Sequence, residues 1–238
     1  MSDNNIVVLA FSGGLDTSYC VLALREQGFE VHTVFVDTGG IPQAEIDWIE
    51  ERARSLGSAK HHLVDVSQAI WDEFVTPLVW SHARMLGEYP LLCSDRYLIV
   101  KRCLALCDEL GTTHFAHGCT GMGNDQLRFD QTVRSIGDYT IHAPVRELQK
   151  VATDIRDHEI GILEAAGVEV PQKSGQYSIN ENLLGVTISG SEVDRFEIPG
   201  PDTWQWVRPR SEWPEETHTF TITFEGGVAT HVDGEALA

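Results

Sequence analysis

The fold is decided by the stretch Ile6-Val7-Val8-Leu9-Ala10-Phe11-Ser12-Gly13-Gly14-Leu15-Asp16-Thr17-Ser18 of this 238-residue chain. Its β-branched, apolar start, residues 6–9, is typical of a buried parallel strand. Gly13 and Gly14 allow a tight turn, and a helical pattern begins near Asp16. A strand, a glycine loop and a helix N-terminus together form an anion cradle, because the first amides of the helix point into the loop. The stretch therefore predicts a phosphate-binding site.

This glycine loop differs from a Walker A loop. No Gly-Lys-Ser/Thr follows the glycines, so the lysine that contacts the β- and γ-phosphates is missing. The residues Ser12-Gly13-Gly14-Leu15-Asp16-Thr17-Ser18 resemble instead the SGGxDS pyrophosphate loop of the N-type ATP pyrophosphatases. Those enzymes split ATP into AMP and pyrophosphate and place AMP on an acceptor. An ordinary strand-to-helix turn is the alternative interpretation.

Composition restricts the class of protein. The chain carries 17 basic and 36 acidic residues, a net charge of −19. A nucleic-acid-binding protein needs a basic face, because phosphate neutralisation supplies much of its affinity, so we expect no nucleic-acid partner. The sequence has no apolar run long enough to cross a bilayer, and we expect no membrane partner. Five scattered cysteines and an N-terminus without a basic region favour a cytoplasmic protein with reduced thiols.

Strand and helix patterns alternate after the first loop. Further strands are predicted at residues 31–36, 61–66, 113–116 and 139–143. Further helices are predicted to begin near Pro42, Ser67, Asp95 and Thr153. This alternation predicts an α/β fold, a doubly wound parallel sheet with helices on both faces. Such sheets bind ligands beyond the carboxyl ends of the strands, at the point where the strand order reverses.

A second glycine-rich stretch follows the strand predicted at residues 113–116. It reads His117-Gly118-Cys119-Thr120-Gly121-Met122-Gly123-Asn124-Asp125-Gln126-Leu127-Arg128-Phe129. Its amide, carboxylate and guanidinium groups suit an amino acid, since Arg128 can bind a carboxylate bidentately and Asp125 can accept an ammonium. We interpret the stretch as a loop at the same sheet edge as the first one. A solvated turn is the alternative.

The C-terminal part has a different character. Residues 219–224 and 228–232 alternate as strands around the turn Glu225-Gly226-Gly227. We predict a nucleotide-binding domain over residues 1–171 and a second, β-containing domain over residues 172–238. A single hairpin is a poor independent fold, so we expect this second domain to be incomplete.

With both loops and the segment Tyr177-Ser178-Ile179-Asn180-Glu181-Asn182, the chain resembles the argininosuccinate synthase family along essentially its whole length. The resemblance implies an adenine nucleotide alpha hydrolase-like domain followed by the start of an α+β synthetase domain. It implies ATP-dependent ligation of L-citrulline and L-aspartate to argininosuccinate, through a citrullyl-adenylate, with release of AMP and pyrophosphate. ATP and Mg²⁺ are the implied cofactors, and a homo-oligomer, a tetramer in the full-length family, is the implied assembly. Family chains continue past the equivalent of Ala238, so we expect the C-terminal part to be lacking.

The resemblance also implies roles for single residues. The candidate catalytic residues are Ser12, Asp16 and Asp125. The candidate ATP-binding residues are Ala10, Phe11, Ser12, Gly13, Gly14, Leu15, Asp16, Thr17, Ser18, Val36 and Gly118. The candidate substrate-binding residues are Tyr89, Ser94, Thr120, Asn124, Asp125, Arg128, Ser178 and Thr187. No direct protein ligand for a metal is predicted, and Asp16 is at most an indirect partner of Mg²⁺.

Three positions depart from the family pattern. Met122 stands where the family often has lysine, Asn180 replaces a common aspartate, and Thr187 replaces a common serine. Two other functions stay open. One is a non-catalytic ATP-binding module, expected if the C-terminal part is lost. The other is an ATP pyrophosphatase that adenylates a different acceptor, for which Met122 and a shortened segment after Tyr89 leave room.

Overall fold

A computed structural model of the chain describes residues 5–84, 86–88, 92–170, 177–195 and 197–237. The chain divides into two compact units. The first comprises Met1–Ser67 and Cys93–Gly175, and the second comprises Gln68–Leu92 and Gln176–Ala238. Residues 68–92 thus belong with the C-terminal residues in this division, whereas the sequence assigns them to the first domain. The domain boundary near residue 172 stays a prediction.

The first unit is built on a five-stranded parallel sheet, which confirms the predicted α/β class. Its strands are β1 (Ile6–Ala10), β2 (Glu30–Asp37), β3 (Lys60–Asp65), β4 (His114–Ala116) and β5 (Thr140–His142). They lie in the order β3-β2-β1-β4-β5. The order reverses between β1 and β4, where Val7 pairs with Val31 on one side and with His114 on the other. This is the position at which open parallel sheets bind ligands.

Helices connect the strands and continue beyond the last of them. They are α1 (Leu15–Glu26), α2 (Gln43–Ser55), α3 (Ser67–Ile70), α4 (Thr76–Ser81), α5 (Asp95–Leu110), α6 (Asp125–Ile136), α7 (Pro144–Leu148) and α8 (Ile155–Ala165). In the first unit, α1 packs against α7 and α8, while α5 packs against β1 and α6. Asp154 caps α8 by accepting the Asp157 N–H at 3.0 Å.

The central strand is buried on both faces. Val7, Val8 and Leu9 of β1 have no exposed surface, as expected for a parallel strand covered by helices on each side. Leu24 of α1 and Leu163 of α8 are equally buried and belong to the same core cluster as Val7. Burying one such side chain contributes roughly 2 kcal/mol of stability. The strand that leads into the glycine loop is therefore firmly anchored.

Two helices differ from the sequence-based expectation. α6 begins at Asp125, inside the stretch that we interpreted as a loop, so Asp125 and Arg128 lie on its first turn. Phe129 and Val133 are buried and stand one helical turn apart, a spacing that favours a helix and was missed. α7 was also not predicted. Its Pro144 occupies the start of the helix, a position where the missing N–H costs nothing.

The helix predicted from Ser67 is present and extends beyond Val75. α3 ends at Ile70, a π-helical turn spans Trp71–Val75, and α4 follows, with right-handed helical backbone at both junctions. Pro77 lies at the start of α4 and has no N–H for an α-helical hydrogen bond to the preceding turn.

The second unit contains two antiparallel sheets. β6 (Ser178–Asn182) pairs with β7 (Gly185–Ser189), while β8 (Ile222–Glu225), β9 (Val228–Val232) and β10 (Glu235–Ala236) form a second sheet in the order β10-β9-β8. The hairpin expected around Gly226 is present as β8 and β9. All four residues of β8 are exposed. Across the ranges that the structure covers, no helix is both long and apolar enough to span a bilayer.

Candidate functional site

Loop 1, defined as residues 11–14, leads from β1 into α1. The Phe11 N–H donates to Val34 O at 2.8 Å, so the chain stays tied to β2 after β1 ends. Gly13 has a φ of +76°, and a Cβ at this position would lie 2.8 Å from Cζ3 of Trp48. A positive φ and a close approach both require glycine here.

Hydroxyl and amide groups line loop 1. Ser12 Oγ lies 3.2 Å from Thr17 Oγ1, and the Gly14 N–H donates to Ser12 Oγ at 3.4 Å. The Ser18 N–H donates to Gly14 O at 2.9 Å and so begins the helical hydrogen-bond pattern. The preceding amides of α1 have no acceptor within the helix. These donors, together with the backbone space kept open by glycine, fit the phosphate groups of ATP.

Loop 1 is supported by a buried arginine of α2. Arg52 Nε donates to Ser18 Oγ at 3.1 Å, and the Ser18 hydroxyl donates to Gly13 O at 3.2 Å. Arg52 is 6% exposed and also donates to Glu169 O. Burial lowers the pKa of its guanidinium. Sequence reasoning missed Arg52, because its partner Ser18 is 34 positions away and nothing in the local pattern connects them.

Asp16 lies on the first turn of α1 and pairs with another acid. Its carboxyl group hydrogen-bonds Glu159 of α8, which is 1% exposed. Burial raises the pKa of Glu159 to about 8, with a further contribution from the charge of Asp16. Burial also raises the pKa of Asp16. The two carboxyl groups therefore share a proton near neutral pH, an arrangement that the sequence did not indicate.

Loop 2, defined as residues 117–124, lies against α1, the helix that follows loop 1. A Cβ at Gly118 would come within 2.9 Å of Thr17 Cγ2 and within 3.3 Å of Thr17 N, on the first turn of α1. The Cys20 thiol also donates to His117 O at 3.8 Å. Loop 2 and the start of α1 consequently meet at one edge of the sheet, at the reversal between β1 and β4.

The tip of loop 2 is held by side chains from α6 and from the C-terminal end of α7. The Gly121 N–H donates to Gln149 Oε1 at 2.5 Å, and Gln126 Nε2 donates to Gly121 O at 2.7 Å. The Thr120 hydroxyl donates to Met122 O at 2.9 Å. Met122, which replaces the expected lysine, is 78% exposed.

An ion-pair network stands at the start of α6. Arg128 Nη1 donates to Asp125 Oδ1 at 2.6 Å, and Arg96 Nε lies 3.4 Å from Asp125 Oδ2. Arg96 Nη1 also donates to Asp95 Oδ2, and both of these residues are buried. Asn124 occupies the N-cap position and is exposed. The Asp125 carboxylate and the Arg128 guanidinium, which the sequence assigns to amino-acid binding, thus pair with each other. The ammonium of an amino acid can replace Arg128 as the partner of Asp125, and its carboxylate can replace Asp125 as the partner of Arg128. Arg96 was missed by the sequence analysis.

The remaining predicted site residues are more scattered. Val36 lies near the carboxyl end of β2 and is 5% exposed, and Ser94 is fully buried before α5. Ser178 and Thr187 lie on β6 and β7 of the second unit. Tyr89 falls outside the described residues. Their roles stay predictions.

Acidic, histidine and cysteine side chains are the usual protein ligands of a metal ion. In the part of the chain that the structure describes, no group of three or more His, Cys, Asp or Glu side chains could hold one. Mg²⁺ is commonly bound through the phosphates of a nucleotide, with one or two protein carboxylates or none.

The chain is similar to known proteins along most of its length. The family model described as "Arginosuccinate synthase N-terminal HUP domain" matches residues 6–169. An argininosuccinate synthase of Xanthomonas campestris pv. campestris is 55% identical over 97% of this chain and 58% of its own length. One from Xylella fastidiosa is 55% identical over 100% of this chain and 59% of its own length. Among solved structures, a predicted subunit of tRNA methyltransferase from Methanocaldococcus jannaschii aligns with a TM-score of 0.44 and 19% identity, over 78% of this chain and 96% of that one. The chain thus spans under three fifths of the length of these curated relatives.

Proposed function

Because the chain belongs to the argininosuccinate synthase family, we propose that it acts in the ATP-dependent ligation of L-citrulline and L-aspartate to argininosuccinate. In this reaction the ureido oxygen of citrulline attacks the α-phosphorus of ATP and pyrophosphate leaves. The aspartate amine then attacks the ureido carbon of the adenylate, and AMP leaves with loss of the amine's proton.

One observation carries the proposal more than any other: loop 2 contacts the first turn of α1, directly after loop 1. Gly118 of loop 2 lies against Thr17, directly after loop 1, so a nucleotide tail and an amino acid bound at these loops would be neighbours. Holding reactants in contact and in line supplies much of the rate of a two-substrate reaction.

Loop 1 would bind the phosphates of ATP. Its amides and the hydroxyls of Ser12 and Thr17 are held in place before any ligand arrives, so they can stabilise the charge that develops on pyrophosphate without reorganising. Mg²⁺, if it is bound together with the phosphates, would supply further charge neutralisation. Asp16 stands at the edge of this site and shares its proton with Glu159.

Loop 2 and the start of α6 would bind the amino acids. Asp125 would accept the ammonium of aspartate with help from Thr120 and Asn124, while Arg128 would bind the carboxylate of citrulline. Arg96 lies 3.4 Å from Asp125 and would hold that carboxylate in place when Arg128 turns to the substrate. Four further citrulline contacts are proposed from the family resemblance: Tyr89, Ser94, Ser178 and Thr187.

The test is pyrophosphate release from ATP, measured with and without each amino acid. We expect release only when citrulline and aspartate are both present, and argininosuccinate as the product. Release that ignores citrulline would contradict the ligase function. ATP binding without turnover under any condition would identify the chain as a non-catalytic nucleotide-binding module.

A different acceptor is the second candidate function. Met122 is exposed at the tip of loop 2 and lacks the charge of the family's common lysine, so the electrostatics beside the acceptor site differ. A screen of amines and amides in the pyrophosphate assay separates this candidate from the first, because it would reveal an acceptor that outperforms citrulline.

The location of the protein is proposed from its cysteines, and its assembly from the family resemblance. All five cysteines are free thiols in the structure, which suits a reducing compartment such as the cytoplasm. A homotetramer is proposed from the family resemblance, and light scattering on the purified chain measures it directly.

A further inference from the structure

A buried histidine joins loop 2 to two helices. His117 is 1% exposed and stands at the first position of loop 2. Its Nε2–H donates to Asp130 Oδ1 of α6 at 3.1 Å. Arg146 of α7 binds the same carboxylate through Nη1 at 3.0 Å and Nη2 at 3.3 Å. None of these three residues has a place in the proposed chemistry.

The hydrogen bonds determine which ring nitrogen carries the proton. The Cys119 N–H donates to His117 Nδ1 at 3.1 Å, so Nδ1 must offer a lone pair and the proton must reside on Nε2. Burial lowers the pKa of His117 despite the neighbouring Asp130 carboxylate, and the charge of Arg146 acts in the same direction. The hydrogen bond from His117, together with Arg146, lowers the pKa of Asp130. The ring is therefore neutral and the carboxylate charged.

This arrangement controls the path of the backbone. The Cys119 amide points inward to the imidazole of His117. Gly118 lies between these two residues in the chain and packs against Thr17. Rotation of the imidazole would release the amide and move Gly118 relative to α1. The rings of Phe115 and Phe129 pack on the imidazole, with centroids 6.0 and 5.4 Å away, and oppose that rotation.

We propose that His117 is a positioning residue whose neutral imidazole holds loop 2 against the first turn of α1, directly after loop 1, so that the nucleotide and the amino acid meet in line. Asp130 and Arg146 hold the ring, and the ring holds the Cys119 amide. The identity of the two ligands rests on the proposed function, whereas the orienting role rests on the contacts alone.

Two substitutions test the hydrogen bonds of the two ring nitrogens independently. In His117→Asn, the amide oxygen stands near the position of Nδ1 and can accept the Cys119 N–H, but Asp130 is out of reach. In His117→Gln, the amide NH₂ can reach Asp130, but no acceptor remains for Cys119. His114→Gln changes a histidine of β4, three positions before His117, whose ring pairs with His142 at 3.0 Å, and is the matched control.

The first readout needs no ligand and no activity. In ¹⁵N NMR spectra we expect the wild-type His117 ring to show a proton on Nε2 alone at neutral pH. The Cys119 amide should exchange at least about tenfold faster with solvent in His117→Gln than in His117→Asn, and His114→Gln should match the wild type. A ring that is charged at neutral pH, a proton on Nδ1, or equal amide exchange in both variants would overturn the assignment.

The second readout is kinetic. Loss of one orienting hydrogen bond should raise the KM for aspartate about tenfold in His117→Gln and leave it within about threefold in His117→Asn. An unchanged KM in His117→Gln, with the Cys119 amide released, would show that the histidine is structural only. If no acceptor supports pyrophosphate release, the proposed function fails, and the NMR readout still decides the role of His117.

Discussion

At the scale of single residues, the acid pair beside loop 1 has a consequence for stability. Glu159 is buried, is not solvated, and hydrogen-bonds Asp16, and one of its oxygens, Oε1, has no partner among the described residues. Burial destabilises the charged form of an acid much more than its neutral form. The protonated form of Glu159 is therefore the one that suits the fold.

The resulting pH dependence has a definite sign. The folded chain keeps the proton of Glu159 up to about pH 8, whereas the unfolded chain releases it near the ordinary value of 4.5. Between these values the folded state binds more protons, so the free energy of unfolding falls as the pH rises through this window. This contribution is fully present below the lower value and lost above the upper one.

We expect Glu159→Gln to remove this dependence, because glutamine copies the shape and the donor of the protonated acid. The variant should be more stable than the wild type by on the order of 2 kcal/mol at pH 8 and similar to it near pH 4.5. Urea unfolding at several pH values measures both. Glu164→Gln, an exposed change on the same helix, is the control. If the free energy of unfolding changed with pH in the same way for Glu159→Gln and the wild type, the shared proton would be contradicted.

At the scale of elements, loop 1 joins β1 to α1 under steric control. Gly13 has a φ of +76°, and a Cβ there would meet Trp48 at 2.8 Å and Ile49 Cγ1 at 3.2 Å. The Trp48 ring is partly exposed and can move, but Ile49 is buried. Backbone strain and packing strain therefore act together at this position.

We expect Gly13→Ala to lower the free energy of unfolding by about 2 kcal/mol and to weaken ATP binding. Gly111→Ala is the matched control, since Gly111 has a φ of +67° with nothing within 4 Å of its Cβ, and it should cost only about 1 kcal/mol. Thermal unfolding and ATP titration provide the two measurements. An equal loss of unfolding free energy in both variants would show that the contact of position 13 with Trp48 and Ile49 of α2 is unimportant.

Local elements were predicted better than contacts between them. The strand at residues 6–10 and loop 1 follow from adjacent residues, so the sequence was sufficient. α6 was missed because Asn124 and Asp125 resemble a loop, although the buried Phe129 and Val133 repeat one turn apart. The bond between Arg52 and Ser18 could not be predicted, since it depends on how α2 packs after the chain has folded.

At the scale of the whole molecule, the two units differ in how much they bury. The residues of β1 from Val7 to Leu9 are fully buried, whereas every residue of β8 is exposed. Stability against local opening follows the number of buried apolar contacts, and a small sheet without a buried face is only marginally stable.

We therefore expect amide hydrogen exchange to separate the units. The amides of β1 should exchange at least about a hundredfold more slowly than those of β8 and β9. Mass spectrometry of peptides from both regions measures this. Comparable protection would mean that residues 222–232 are covered in solution, and a dependence of that protection on protein concentration would identify self-association as the cause.

The contact between Thr17 and Gly118 also links what each position can become. A side chain added at 118 would meet the Thr17 methyl group, and removing that methyl by changing threonine to serine would vacate part of the same space. Gly118→Ala should therefore be less harmful in a Thr17→Ser background than alone, so the substitutions tolerated in loop 2 depend on the residues at the start of α1. A library that varies one of these two segments while keeping the other constant would miss the tolerated pairs.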